Sequence, residues 1–282
     1  MLLIALLGCA ARGARTLSPA TSGGPSRGTL ILTGGEMLPE VRARFAELAG
    51  GAEAEIVYVP TAASGIRLGM GYIFYPPDSG ASEKTAEFEG ELARLFGVRR
   101  VTVLHTRDRA TAERDAFVEP LRRVRGVWLS SGNAGRLIDA YLDTRVQREL
   151  EALLARGGVV GGNSAGAIIQ GSFVIRGRAD KPVLVARGRE RGFGFLRNVA
   201  VDPHLLSQKR EAELVTVVDA HPELLGIGLA DSVAIEVRGD RFRAIGEGQV
   251  VIFDDRKHGC CWYYPLPAGA EFDLRARAVV GR

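Results

Sequence analysis

The sequence predicts an α/β protein built on a mostly parallel β-sheet covered on both faces, with a β-rich extension at the C-terminal end. Three observations carry that prediction. Short apolar or β-branched runs alternate with helical patterns from Thr29 to Val160, the order produced by repeated strand–helix–strand units. A glycine-framed serine, Gly162-Asn163-Ser164-Ala165-Gly166, directly follows one of those runs. From Leu229 onward helical periodicity fades, and short β-type runs separated by turns replace it.

Taken in order, Thr29-Leu30-Ile31-Leu32 reads as a buried strand ending at Gly34-Gly35-Glu36, and a helix follows over residues 39–48, opened by Pro39. Residues 54–59 form the next strand, closed by Pro60-Thr61. Residues 65–80, rich in Gly, Pro and Tyr, read as a long loop able to cover a site, and residues 82–96 as a helix. Strands recur at 101–104, 126–129 and 158–160, the last preceded by a helix over 145–156. Phe173-Val174-Ile175 and Val183-Leu184-Val185 predict a hairpin whose turn spans 177–182. Residues 199–204 and 224–230 are further strands, and His221-Pro222 marks a helix end. Runs at 233–237, 241–245 and 249–253 make the antiparallel extension. With no internal repeat, residues 28–282 are expected to form one domain.

Composition narrows the function. The chain has 282 residues, 46% apolar and 25% charged, enough for a sizeable core. Its net charge of +4 comes from 37 Lys+Arg against 33 Asp+Glu, with the arginines scattered rather than gathered in a stripe, so nucleic acid is not an expected partner. Cys9, Cys260 and Cys261 make no disulfide framework. His105, His204, His221 and His258 show no ligand spacing, so neither a metal nor another cofactor is expected.

At the N-terminus, residues 2–7 are apolar but too few to span a bilayer, and Leu6-Leu7-Gly8-Cys9 looks like a bacterial lipobox. Two readings follow. One is an exported protein anchored to a membrane through lipid on Cys9, with residues 10–27 as a flexible tether. The other is a cytoplasmic protein with an untidy start, favoured by the absence of Lys or Arg before the apolar run.

The glycine-framed serine reads as a nucleophile elbow. Such a serine occupies a sharp strand-to-helix turn, where glycines allow close backbone packing and the helix N-terminus offers N–H groups to a developing oxyanion. Gly24-Pro25-Ser26-Arg27-Gly28 matches the same pattern but has no strand before it, so context singles out Ser164. A serine needs a base, and His204, closing Val199-Ala200-Val201-Asp202-Pro203-His204 at a strand end, is the leading candidate. The carboxylate that orients the imidazole is read as Asp231, after the apolar run 224–230, with Asp180, in the predicted turn, as the alternative. Backbone N–H groups of Ala165 and Gly132 are the candidate oxyanion donors. A second triad, Ser164, Asp231 and His258, would follow the chain order of esterase-like hydrolases. A catalytically silent peptide-binding protein is the reading from another class.

Taken together, Gly34-Gly35-Glu36, Pro60-Thr61-Ala62, Ser131-Gly132-Asn133, Gly162-Asn163-Ser164-Ala165-Gly166-Ala167, Asp202-Pro203-His204 and Gly226-Ile227-Gly228 resemble, in order, the cyanophycinase and dipeptidase E family of serine peptidases. The resemblance spans roughly residues 28 to 237. It implies a flavodoxin-like three-layer fold related to class I glutamine amidotransferases. It also implies hydrolysis of a peptide or isopeptide bond through an acyl-enzyme on Ser164, with His204 as base, exopeptidase-like selection and a homodimer. The cyanophycinase-like pattern puts the acid at Asp231, the dipeptidase-like pattern near Asp180. Asn133 and Arg210 are the matching substrate-contact positions. Ala134, Pro203, Gln208 and Glu213 stand where cyanophycinases carry glutamine or arginine, and these departures count against cyanophycin as substrate.

Overall fold

The computed structural model describes residues 21–35, 37–68, 72–74, 83–181 and 183–281. Cys9, the N-terminal half of the tether, Glu36 and much of the loop 65–80 lie outside the described residues.

The first half of the chain alternates strands and helices in the expected order. These are β1 (Thr29–Thr33), α1 (Pro39–Ala49), β2 (Glu55–Val59), the small hairpin β3 (Ile66–Leu68) and β4 (Tyr72–Phe74), α2 (Glu83–Phe96), β5 (Arg100–Val103), α3 (Arg109–Ala112), α4 (Asp115–Arg123), β6 (Gly126–Leu129), α5 (Ala134–Tyr141), α6 (Arg145–Ala155), β7 (Val159–Asn163) and α7 (Ala165–Ile168). The second half is richer in strands: β8 (Gly171–Phe173), β9 (Leu196–Pro203), α8 (Glu211–Ala220), β10 (Leu225–Leu229), β11 (Val233–Arg238), β12 (Arg241–Gly246), β13 (Gln249–Phe253), β14 (Tyr264–Pro267), β15 (Glu271–Asp273) and β16 (Ala278–Val279).

The strands make two main sheets. A nine-stranded sheet runs β16-β15-β12-β11-β1-β7-β6-β2-β5, and its β1-β7-β6-β2-β5 half is parallel. Strand β11 joins β1 antiparallel, so the C-terminal strands extend this sheet as the turn-rich sequence predicts. A five-stranded sheet runs β14-β13-β10-β9-β8. This second sheet departs from the expected single parallel layer. Because β7 is already hydrogen-bonded to β1 on one edge and β6 on the other, β9 finds no free edge beside it and pairs with β8 and β10.

Strict alternation places both faces of the parallel half in core. Leu30, Leu32, Val57, Val59, Val127, Leu129 and Val160 join one apolar cluster that continues into the second sheet. Ile31, Ile56, Tyr58, Trp128 and Val159 face the other way, against Val41 and Phe45 of α1 and Phe88, Leu92 and Phe96 of α2. Phe45 meets Trp128 edge-on at 5.1 Å between ring centres. That double burial explains why these strands read as continuous apolar runs rather than as half-polar ones.

The hairpin predicted at 173–185 forms no strand ladder. The two arms meet once, Arg176 N donating to Leu184 O, but strand β8 takes β9 as its partner, and the returning chain closes on β8 later, with Val174 N donating to Glu190 O and Gly192 N to Ser172 O. Residues 183–185 hold no strand, and the excursion is longer than the turn residues suggested.

Candidate active site

The C-terminal ends of β1, β7, β6, β2 and β5 line one rim of the parallel half, where sites in such sheets form. Ser164 stands at the tip of β7 as the residue before α7, with φ 52° and ψ −110°. That left-handed backbone is unfavourable for a residue with a Cβ, costing about 1–3 kcal/mol, and surrounding packing must hold it. Gly162 and Gly166 allow that packing. A Cβ on Gly162 would lie 2.4 Å from Gly166 O, and one on Gly166 would lie 2.1 Å from Leu129 O. Ser164 N donates to Thr33 O at 3.1 Å, and Ser164 O accepts from Ala167 N and Ile168 N. Asn163 braces the elbow from below: its Oδ1 accepts from Trp128 Nε1 at 3.2 Å and its Nδ2 donates to Gly35 O at 3.3 Å.

The second sheet brings the partners. His204 follows β9 with φ 57°, and its Nε2 lies 3.0 Å from Ser164 Oγ. Asp231 follows β10, and its Oδ1 lies 2.5 Å from His204 Nδ1. Strands β9 and β10 run parallel and in register, Leu229 beside Pro203, so both side chains leave the same end of the sheet. Burial pushes the Asp231 carboxyl upward, but hydrogen bonds from Ser207 and His204, with the imidazole's charge, outweigh it and hold the group below its ordinary value. The glycine pair after β1 makes room for this carboxylate. A Cβ on Gly34 would lie 2.0 Å from Ala230 O, and one on Gly35 would lie 2.9 Å from both Cα and Cβ of Asp231.

The other candidates sit elsewhere. Asp180 is exposed and engaged by Arg178, whose hydrogen bonds hold its carboxyl at about 2. His258 is tied through Nε2 to Asp254 Oδ1 at 2.8 Å, away from the serine. Gly132, with φ 137°, follows β6 beside the elbow, and Ala165 opens α7. Neither N–H meets an acceptor among the described residues. Asn133 caps α5, its Oδ1 accepting from Gly135 N at 2.8 Å while its Nδ2 donates to Arg178 O at 3.1 Å. Arg210 lies 3.6 Å from Asp202 Oδ1.

Ser207 and the charge cluster around Asp202 have no signature in the sequence, because their partners come from other elements. Asp202 is fully buried two residues before His204. Its Oδ1 accepts from Arg176 Nη1 at 2.9 Å, while Oδ2 has no hydrogen-bond partner among the described residues. Arg176 also pairs with Glu213. Burial raises the Asp202 carboxyl to about 6 despite the attraction of Arg176 and Arg210.

A serine poised on a strained strand-to-helix turn, within hydrogen-bond reach of an imidazole that a carboxylate orients, defines the class of α/β serine hydrolases. The chain is similar over residues 29–245 to the model of peptidase family S51, and it belongs to that family. It is 30% identical to a cyanophycinase of Synechococcus elongatus over 236 residues, 80% of this chain and 68% of that one. A cyanophycinase of Geminocystis herdmanii is 28% identical over 220 residues, covering 76% of this chain and 75% of the relative. In fold it resembles a peptidase from an acI-B1 actinobacterium, with a TM-score of 0.64 at 23% identity over 89% of this chain and 98% of that one. It also resembles a putative peptidase E from Listeria monocytogenes, with a TM-score of 0.54 at 17% identity over 78% and 98% of the two chains. The protein is therefore a serine-type peptidase resembling cyanophycinase, and its substrate is a peptide.

Proposed function

We propose that Ser164, His204 and Asp231 are the catalytic triad, hydrolysing a peptide or isopeptide bond through an acyl-enzyme. The continuous chain from Ser164 Oγ through His204 to Asp231, 3.0 Å and 2.5 Å at its two links, carries this reading. His204 Nε2 takes the Ser164 proton as Oγ attacks the scissile carbonyl, and Asp231 stabilises the imidazolium that results. The oxyanion turns toward the N–H groups of Ala165 and Gly132. The imidazolium then gives its proton to the leaving amine, and a water activated by the same ring releases the acyl group.

A fluorophosphonate probe tests the assignment. It is expected to label Ser164 in the folded protein, to spare Ser164→Ala and His204→Ala, and to label His258→Ala. Labelling of His204→Ala at the unaltered rate, with loss in His258→Ala, would replace this triad by Ser164, Asp231 and His258. Turnover in Ser164→Ala should fall about a million-fold.

The finer architecture belongs to the same reading. Helices on both faces of β1-β7-β6-β2-β5 support a flavodoxin-like core of the class I glutamine amidotransferase kind, to which the second sheet contributes histidine and acid. Arg210 and Asn133 are the substrate-contact positions that match the family. Because Arg210 faces Asp202 and the neighbouring place holds Glu213, selection is expected to differ from that for aspartyl-arginine. Lipid on Cys9, with a cytoplasmic protein lacking that anchor as the alternative, and pairing into a homodimer complete the proposal; metabolic labelling with palmitate and sedimentation equilibrium test them.

A further inference from the structure

The rim beyond Gly132 carries two arginines with no assigned role. Adjacent strands lie about 4.8 Å apart, so along β7-β6-β2-β5 the residues following β2 and β5 stand roughly 10 and 14 Å from Ser164. The Ala62–Ala63 peptide packs directly on Gly132, where a Cβ would lie 2.1 Å from Ala62 O and 2.7 Å from Ala63 N. Two guanidinium groups close on that peptide. Arg136, in the first turn of α5, donates through Nη1 to Ala62 O at 3.1 Å. Arg107, after β5, donates through Nη2 to Ala63 O at 3.2 Å.

Both cations lack a counter-charge among the described residues. The nearby acids are committed: Asp108 caps α3 through Ala110 and Thr111, Asp139 pairs with Arg189, and Asp180 pairs with Arg178. Arg136 feels burial first and the charge of Arg107 second, and both lower its pKa. Each guanidinium has five N–H donors, and the contacts above use one apiece, so several remain for a ligand. Two like charges held together on the rim beside Gly132, with donors to spare, match a carboxylate, which arginine binds through paired N–H groups.

We infer that Arg107 and Arg136 form a carboxylate-binding subsite for the peptide substrate, on the Gly132 side of Ser164 and about 10 Å from it. An extended peptide advances about 3.3–3.6 Å per residue, so the carboxylate sits roughly three residues from the scissile carbonyl, or two when an acidic side chain supplies it. This inference rests on Ser164 being the nucleophile, and it names the substrate class of that site: short peptides carrying a carboxylate at that distance.

Peptides matched except for the carboxylate test it, in two arms. One arm compares a free C-terminus with its amide, the other Asp or Glu with Asn or Gln. The native protein is expected to favour the carboxylate in kcat/KM by about tenfold or more, through KM, and Ser164→Ala should bind the same peptides with the same preference. In the Arg107→Gln/Arg136→Gln double variant the preference should collapse toward unity, and Arg107→Lys/Arg136→Lys should restore part of it. The arm that shows the preference identifies the source of the carboxylate. Equal use of charged and neutral peptides by the native protein, or a preference that survives in the double variant, overturns the subsite. Absence of fluorophosphonate labelling with arginine-dependent binding intact would remove the nucleophile and leave the subsite standing.

Discussion

Ser164 and His204 both hold left-handed backbone angles without being glycine, so the proposed nucleophile and base are set by packing rather than by local preference. Ser164 was legible as a candidate because strand, glycine and serine follow each other in one short stretch, and His204 because it closes a strand. The acid was less legible: the sequence favours Asp231 over Asp180 without deciding between them, and it is Asp231 that the register of β9 with β10 brings beside His204, while Asp180 pairs with Arg178. Asp231→Asn should lower kcat about ten-thousand-fold with the fold retained, since an amide favours the wrong imidazole tautomer; circular dichroism and single-turnover kinetics check this. Ser207→Ala removes a hydrogen bond that lowers the Asp231 carboxyl, so the titration of that carboxyl, followed by NMR, should move to higher pH. Asp202 acts on stability instead. The folded protein keeps its proton up to about pH 6, whereas the unfolded chain releases it near 3.8, so raising the pH through that window weakens folding. Asp202→Asn should remove that slope, giving a smaller fall in Tm between about pH 4 and 6 than the native protein shows. An unchanged slope in the variant would mean that Asp202 is ionised throughout.

At the scale of elements, the parallel strands were legible because both of their faces are buried, which leaves apolar runs that no surface strand would carry. The hairpin was misread because turn residues at 177–182 mark a bend but say nothing of which edge is free to pair. The glycines after β1 were legible as a turn, yet their purpose was not, since it depends on Asp231 arriving from the other sheet. That purpose makes a prediction. Gly35→Ala places a Cβ 2.9 Å from Asp231 Cα and Cβ, so the acid must shift relative to His204. A displacement near 1 Å costs about a hundredfold in rate, so kcat should fall by one to two orders of magnitude while the fold persists. Gly34→Ala meets a backbone oxygen at 2.0 Å, which cannot swing aside as a side chain can. Its main effect should therefore appear in Tm. Thermal melts and kcat measured on both variants separate the two outcomes.

For the whole molecule, the decisive fact is that Ser164 and His204, the proposed nucleophile and base, follow strands of different sheets. A 3.0 Å contact between Ser164 and His204 then requires the sheets to be fixed against each other as one body. The packing is of that kind: Leu30, Leu32 and Val160 of the first sheet share one apolar cluster with Val199, Val201, Ile227 and Phe253 of the second. The strands after residue 245, beyond the family match, take part in both halves, because β13 pairs with β10 while β15 and β16 extend the sheet from β12. Phe253, on β13, is fully buried, its side chain close to Gly226 and its ring 5.1 Å from Tyr263. Removing it should cost about 3–5 kcal/mol, the same order as removing Phe45 from the opposite face of the first sheet. If residues 28–282 are one cooperative unit, Phe253→Ala and Phe45→Ala each shift a single urea transition. In each variant fluorophosphonate labelling is then lost at the same midpoint as near-ultraviolet circular dichroism. Two separated transitions in either variant, with labelling lost in only the first, would show that the sheets unfold independently and that the triad is assembled from two domains.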